Sequence, residues 1–360
     1  MGNWCAPNTI MHWLKGHETF KLYKKNTRPM LTEGNRFKQV EFSKHVRARW
    51  DLPIGSKILW TMSDEKWWWG LVARTFAKLC PELGVDKSSF LVHHKEHITK
   101  VMGHATVGYL FTDDPENGGE GYCIGLHRCE SFRVALKTTY ETERDPITNA
   151  IHHNSKIVKH LKGDLYRVAA NVTGSNTGTP TDPKFPLLQL WEVVLLPALD
   201  SMVAPGGPCA GAIVVHQEDN AGPHKEGVYA EWLQAQFDER GWKLELQAPQ
   251  GPYTNVLDLQ LFPCMSKRHS ELLQLYCNSE ASFDRIWNVA IAVWKSISSA
   301  MICRSFVLAY RIMEKIIATN GHNDFLQDGA PHCNVRRDYV DTERGIKRKR
   351  TESPPESQSW

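Results

Sequence analysis

The order in which the apolar period changes along the chain constrains the fold more than any single residue does. "KILWTMS" (57–63), "HATVGYLF" (104–111) and "GYCIGLHRC" (121–129) alternate as strands, with the turn-forming "DDPENGGEG" between the second and third. "FPLLQLWEVVLLPALDSM" (185–202) then takes a helical period, which Pro197 interrupts or kinks. "GAIVVHQ" (211–217) returns to a strand, "GVYAEWLQAQFDERG" (227–241) is an amphipathic helix stopped by Gly241, and "KLELQAP" (243–249) is a fifth strand. Three strands in succession form a meander, and the later alternation of helix and strand predicts an α/β chain with one central sheet.

Helices flank this segment on both sides. "PNTIMHWLKGH" predicts a short helix capped by Asn8, and residues 31–50 a second with Phe37, Val40, Phe42 and Val46 as an imperfect apolar stripe. Near the far end, "SFDRIWNVAIAVWKSI" starts at Ser282 as a cap, and "FVLAYRIMEKIIATNG" closes at Gly321. The expected units are therefore 1–50 (front helices and a basic linker helix), 51–275 (catalytic-type sheet, with a polar insertion at about 136–183), 276–325 (helices) and 326–360 (a basic, disordered tail).

Composition removes several classes. With 41% hydrophobic residues and 13 Trp in 360 residues, the chain can bury a large core, and no apolar run approaches the roughly 18 residues of a membrane span. Nine cysteines without a CxxC pair argue against a disulfide framework or a zinc ribbon. The net charge of +3 is uneven: residues 1–50 carry ten Lys and Arg against three Glu, which is +7 and leaves −4 for the remainder. Lys15, Lys21, Lys24, Lys25 and Arg28, interleaved with Trp13, Phe20 and Tyr23, suit phosphate contacts, with a solvated basic arm as the alternative.

Three acids stand out by position. Asp64 follows the first strand, Asp219 follows the fourth in "VVHQEDNAGPHKEG", and Asp258 lies at the start of an apolar helix in "NVLDLQLFP". Each has a plain structural use: a turn cap, an Asx turn and a favourable charge on a helix dipole. On a single sheet, though, the three meet, and a group of carboxylates has a specific use. Mg²⁺ takes oxygen ligands and keeps waters, so a few acids plus substrate phosphate oxygens complete its shell. Two such ions can activate an attacking oxygen and stabilise the leaving one at a phosphodiester.

At these three motifs the sequence resembles the mariner-type transposases of the DDE/D superfamily. "SDEKWW" is similar to the family's first acidic motif, "QEDNAGPH" to its Asp-Asn-Ala-x-Pro-His motif, and "APQGPYTNVLDLQLFP" to the third, which ends in Asp-x-x-Leu-Phe. The likeness runs from about residue 30 to 320. It implies a ribonuclease-H-like fold, a central mixed sheet flanked by helices with helical N- and C-terminal extensions. It also implies a metal-binding triad of Asp64, Asp219 and Asp258 holding two Mg²⁺ or Mn²⁺ ions. Asn220 and His224 would support the second acid or the scissile phosphate. The activity implied is hydrolysis of a phosphodiester at transposon ends and transfer of the 3′-hydroxyl into target DNA, by a homodimer that pairs two terminal inverted repeats.

The sequence also departs from the family pattern. There are 38 residues between Asp219 and Asp258, a few more than usual, and "QGPYTNV" replaces the usual Ser-Pro-Asp-Leu wording. These changes point to a divergent branch. Of the family's two helix-turn-helix units, only "APNTIMHWLKGH" finds a match, to the last helix of the second; this predicts impaired end recognition. A truncated or domesticated DNA-binding protein without cleavage activity is therefore the alternative. A zinc hydrolase using His93, His94 and His97 is a further one, although "HHKEH" lacks the HExxH order. Lys347, Arg348, Lys349 and Arg350 read as a nuclear address, with a solvated tail as the plainer use.

Overall fold

In a computed structural model of the chain, residues 31–50, 57–70, 98–111, 119–144, 151–225, 227–276 and 282–322 are described. Lys15, Lys21, Lys24, Lys25, Arg28, His93, His94, His97 and the Lys347–Arg350 cluster lie outside them.

A six-stranded mixed sheet forms the centre. Strands β1 (Ile58–Trp69), β2 (Lys100–Phe111) and β3 (Glu120–Val134) make the expected antiparallel meander. Strands β9 (Ile213–Glu218) and β10 (Lys243–Leu246) add in parallel on the other side of β1, and β6 (Leu165–Ala169) closes the far edge in the order β10-β9-β1-β2-β3-β6. The stretch read as a polar insertion is thus built into the sheet through β6. It also carries a hairpin of β4 (Thr139–Arg144) with β5 (Ile151–His160), and a small parallel pair, β7 (Asn171–Thr173) with β8 (Lys184–Pro186).

The register of β1 corrects one expectation. The strand does not end before Asp64 but runs on to Trp69, because β2 pairs with it along its whole length, from Ile58↔Phe111 to Trp69↔Lys100. The parallel partner β9 stops earlier, at Met62↔Gln217. Asp64 therefore lies on a strand paired on one side, two residues beyond the last parallel pair.

Alternation along β1 splits the core in two. Ile58, Trp60, Met62 and Trp68 face a layer made by α1 (Glu33–Trp50), α6 (Phe262–Tyr276), α7 (Phe283–Lys295) and α8 (Ser299–Ala318). Leu59 faces the opposite layer, formed by α2 (Leu187–Leu190), α3 (Leu196–Val203) and α5 (Gly227–Glu239). Between α2 and α3 the chain makes a π-turn, Trp191–Leu195, in which Leu196 N–H bonds Trp191 O. The expected disturbance at Pro197 takes this form: a proline cannot donate the normal helical bond, and the widened turn just before it absorbs the misfit.

Of the stripe on α1, Val40 and Val46 are buried and Phe42 half-buried, while Phe37 is exposed. Gln39 Nε2 donates to the carbonyls of Pro249 and Gln250, and Gly321, with φ +77°, lets the end of α8 approach α1 so closely that a Cβ there would stand 2.6 Å from Arg36 O. Ser282 caps α7 as expected, its side chain accepting from Arg285 N–H. Helices α7 and α8 meet at 82°, and no single helix among the described residues is long and apolar enough to cross a membrane.

Candidate active site

The three predicted acids come from three elements that the fold brings to one edge. Met62 pairs with Gln217, so continuing the register by two residues sets Asp64 on β1 alongside Asp219, just past the end of β9. Neighbouring strands lie about 4.8 Å apart, and in-register parallel neighbours point to the same face. Asp258 arrives from the helical layer that packs on the Met62 face of β1, in the first turn of a π-helical segment, Leu257–Leu261, that runs straight into α6.

Asp64 is held at both oxygens. Oδ1 accepts from Glu65 N–H at 2.7 Å and Oδ2 from Asn255 Nδ2 at 3.1 Å. Asn255 Oδ1 in turn accepts from Leu257 N–H at 3.0 Å, so a single side chain starts the helix of Asp258 and grips Asp64. Sequence reasoning missed Asn255, although an Asn three residues before an acid that opens a helix has the pattern of a cap.

The electrostatics show that the carboxylates crowd one another. Burial first, then the charges of Asp258, Glu65 and Asp219, push the Asp64 carboxyl up to about 9. Asp258, at the exposed rim, is also raised, by its packed surroundings and by Asp219, against the pull of Lys66 and a hydrogen bond shared with Asp64. Lys66 is held below its ordinary value by burial, with both acids acting to raise it.

Asp219 behaves differently. Burial would raise it, but the hydrogen bond and charge of His224 and the Ala221 N–H outweigh that, and its carboxyl is lowered. Its Oδ1 accepts from Ala221 N–H at 3.0 Å and stands 2.8 Å from His224 Nδ1. The Asx turn is thus real, and it coexists with the placement beside Asp64. His224 lies in a short helix, α4 (Gly222–Lys225), which follows the turn at once and places the ring inside the protein, where it is 5% exposed. His224 thus faces Asp219 and not solvent. Asn220 lies half-buried at the exit of the strand.

Behind this edge, on the other face of the sheet, lies a buried polar layer that no sequence pattern announces. It comprises Thr61, Ser63, Glu65, His104, Thr106, His216 and Glu218, all in the sheet, with Tyr229 from α5. Thr61 Oγ1 and His216 Nδ1 are 2.8 Å apart, Ser63 and Thr106 hydroxyls 2.8 Å, and Tyr229 Oη donates to Glu218 Oε1 at 2.7 Å. Burial lowers His104 to about 3 and raises Glu65 to about 7 against the pull of His224. His224 is raised to about 9, since Asp219, Glu218 and Glu65 outweigh its burial.

Among the described residues no three His, Cys, Asp or Glu side chains close into a cluster that holds a metal ion by protein atoms alone. A group of acids that is half-buried at Asp64 and open to water at Asp258 and Asp219 is nonetheless a form that Mg²⁺ uses when substrate oxygens complete its shell. The donor set fits: Asp64 and Asp258 can both ionise cheaply only with a cation beside them.

No protein-family model matches the chain, and no curated protein matches it. Solved structures do. The chain is similar to the Mos1 mariner paired end complex with Mn at 13% identity, over 88% of this chain and 71% of that one, with a TM-score of 0.50. The Mos1 strand transfer complex matches at 11% identity over 88% and 70%, TM-score 0.47, and the catalytic domain of Mos1 mariner transposase at 12% over 82% and 98%, TM-score 0.41. Together with the observed sheet order, the first of these likenesses shows that the chain has the ribonuclease-H-like α/β fold seen in that Mos1 complex.

Proposed function

We propose that this chain is a metal-dependent DNA transposase of the mariner type. The carrying observation is the arrangement of Asp64, Asp219 and Asp258: acids from β1, the end of β9 and the start of α6, in mutual electrostatic contact at an open edge of the sheet. In this reading Asp64, Asp219 and Asp258 hold two Mg²⁺ or Mn²⁺ ions, whose chemistry when bound is to activate an attacking oxygen and stabilise a leaving one at a phosphodiester.

The chain's own residues prepare that site. Asn255 orients Asp64, His224 and the Ala221 N–H orient Asp219, and Lys66 offsets part of the acid charge beside Asp64 and Asp258. Asn220 lies next to the second acid, within reach of the same substrate. The substrate proposed is double-stranded DNA, the inverted repeats of a transposon and then a target, bound by a homodimer. That assignment draws on the similar Mos1 mariner structure, which is a paired end complex with Mn. Lys15, Lys21, Lys24, Lys25 and Arg28 would add phosphate contacts, and Lys347–Arg350 would direct the chain to the nucleus.

The experiment is cleavage of end-containing DNA by the purified chain. Nicking or strand joining should require Mg²⁺ or Mn²⁺ and vanish in Asp219→Ala. DNA binding with no metal-dependent cleavage in the parent would instead favour a domesticated binding protein.

A further inference from the structure

The buried layer behind the acids explains how one of them is aimed. Asp64 and Glu65 are consecutive on β1, so they point to opposite faces: Asp64 to Asn255 and Asp258, Glu65 into the polar layer. The same division applies to β9, where Gln217 donates to Thr254 O on the face of Asp64 while His216 and Glu218 face Thr61 and Tyr229. Glu218 is 1% exposed, one oxygen taken by Tyr229 and the other without a hydrogen-bond partner. A carboxylate in such a place is costly unless it faces a donor or a cation.

What it faces is His224. The ring stands 3.9 Å from Glu218 Oε2 at Nδ1 and 3.9 Å from Glu65 Oε1 at Nε2, while Nδ1 lies only 2.8 Å from Asp219 Oδ1. Glu65 Oε1 is also 3.9 Å from His104 Nε2, and Glu218 Oε1 is 3.8 Å from His216 Nε2, so both acids are themselves flanked by imidazoles anchored in the sheet. Three carboxylates surround one imidazole; Asp219 alone comes as close as 2.8 Å, although the angle at Nδ1 does not align as a hydrogen bond.

We propose that Glu218 and Glu65 are positioning residues for Asp219: from the far face of the sheet they hold the imidazole of His224 in place, with Nδ1 against Asp219 Oδ1 as a close ion pair. That pairing leaves the second oxygen of Asp219 as the one available to a divalent cation. The inference deepens the function proposed above and rests on it for the role of the cation. It gives the metal edge a support that acts through the sheet, as outer-shell groups do in metal sites generally.

The test is Glu218→Gln in the full chain, which keeps an acceptor for Tyr229 and removes the charge facing His224. In a crystal structure of this variant without metal, the Asp219–His224 contact is expected to be lost, and calorimetric Mn²⁺ affinity should fall about tenfold with the thermal midpoint little changed. Should the variant fail to fold, Tyr229→Phe loosens the same carboxylate by removing one O–H and is expected to weaken Mn²⁺ in the same direction. Retention of the contact together with parental Mn²⁺ affinity overturns the proposal. Loss of the contact in the variant of a parent that binds no Mn²⁺ would overturn the proposed function and leave this positioning role standing.

Discussion

Asn255 Nδ2 donates to Asp64 Oδ2 at 3.1 Å across 191 positions of sequence, while the other end of the same amide accepts from Leu257 N–H. Two jobs in one side chain can be separated. Asn255→Ser keeps a cap acceptor but cannot reach Asp64, so the thermal midpoint should stay near the parent while Mn²⁺ affinity and cleavage fall about tenfold or more. Asn255→Ala should lose both, at an added cost of about 1 kcal/mol for the cap. Calorimetric titration beside thermal scans distinguishes them; equal losses in both variants would mean that only the cap matters.

The raised carboxyl of Asp64 fixes the sign of a pH effect. A group whose folded pKa lies above its unfolded value contributes stability that is complete below about 3.8 and is lost as pH rises through the folded value, here about 9. Glu65, raised to about 7, acts in the same direction. A divalent ion favours the ionised acid and competes with its proton, so Mn²⁺ should raise the melting temperature more at pH 8 than at pH 6. Scans at both pH values, with and without millimolar Mn²⁺, check this, and an equal or reversed increment counts against metal binding at Asp64.

Packing of β3 against α8 depends on a missing side chain. A Cβ at Gly121 would stand 2.6 Å from Ile302 Cβ and 2.7 Å from Ser299 O, and Gly121 N–H donates to Ser299 Oγ at 3.0 Å. Gly121→Ala should therefore destabilise by about 1–3 kcal/mol through a forced shift of α8. Because the acids lie elsewhere, the folded fraction should keep its Mn²⁺ affinity. Urea denaturation with a parallel metal titration measures both.

Ser282→Ala should cost about 1 kcal/mol by removing the acceptor for Arg285 N–H at the start of α7. Ser282→Asp should recover most of it, since an acid there also favours the helix dipole. Thermal scans of the pair decide; an unchanged midpoint in the Ala variant would show that burial of Ile286, Ala290 and Val293 alone fixes this end of α7.

What the sequence made legible was local. The cap at Ser282, the stop at Gly321 and the order of strand and helix depend on neighbours a few residues away. Long-range pairing decided the rest. The extension of β1 past Asp64 follows from β2, whose partner positions are about 40 residues distant. Asn255 takes its meaning from Asp64, and Glu218 from Tyr229 and His224, contacts that no periodicity announces. The insertion read as polar supplies an edge strand because β6 finds β3, with Glu130↔Ala169 through Val134↔Leu165.

The two-sidedness of β1 makes the protein unusually sensitive to length at one spot. One residue gained or lost between Met62 and Glu65 would rotate the acids by a half-turn, presenting Glu65 to Asp258 and burying Asp64 among imidazoles. Comparable changes in the exposed turn at Lys162–Gly163 would leave both faces as they are. A change of length within this stretch of β1 is thus far less tolerable than one in that turn.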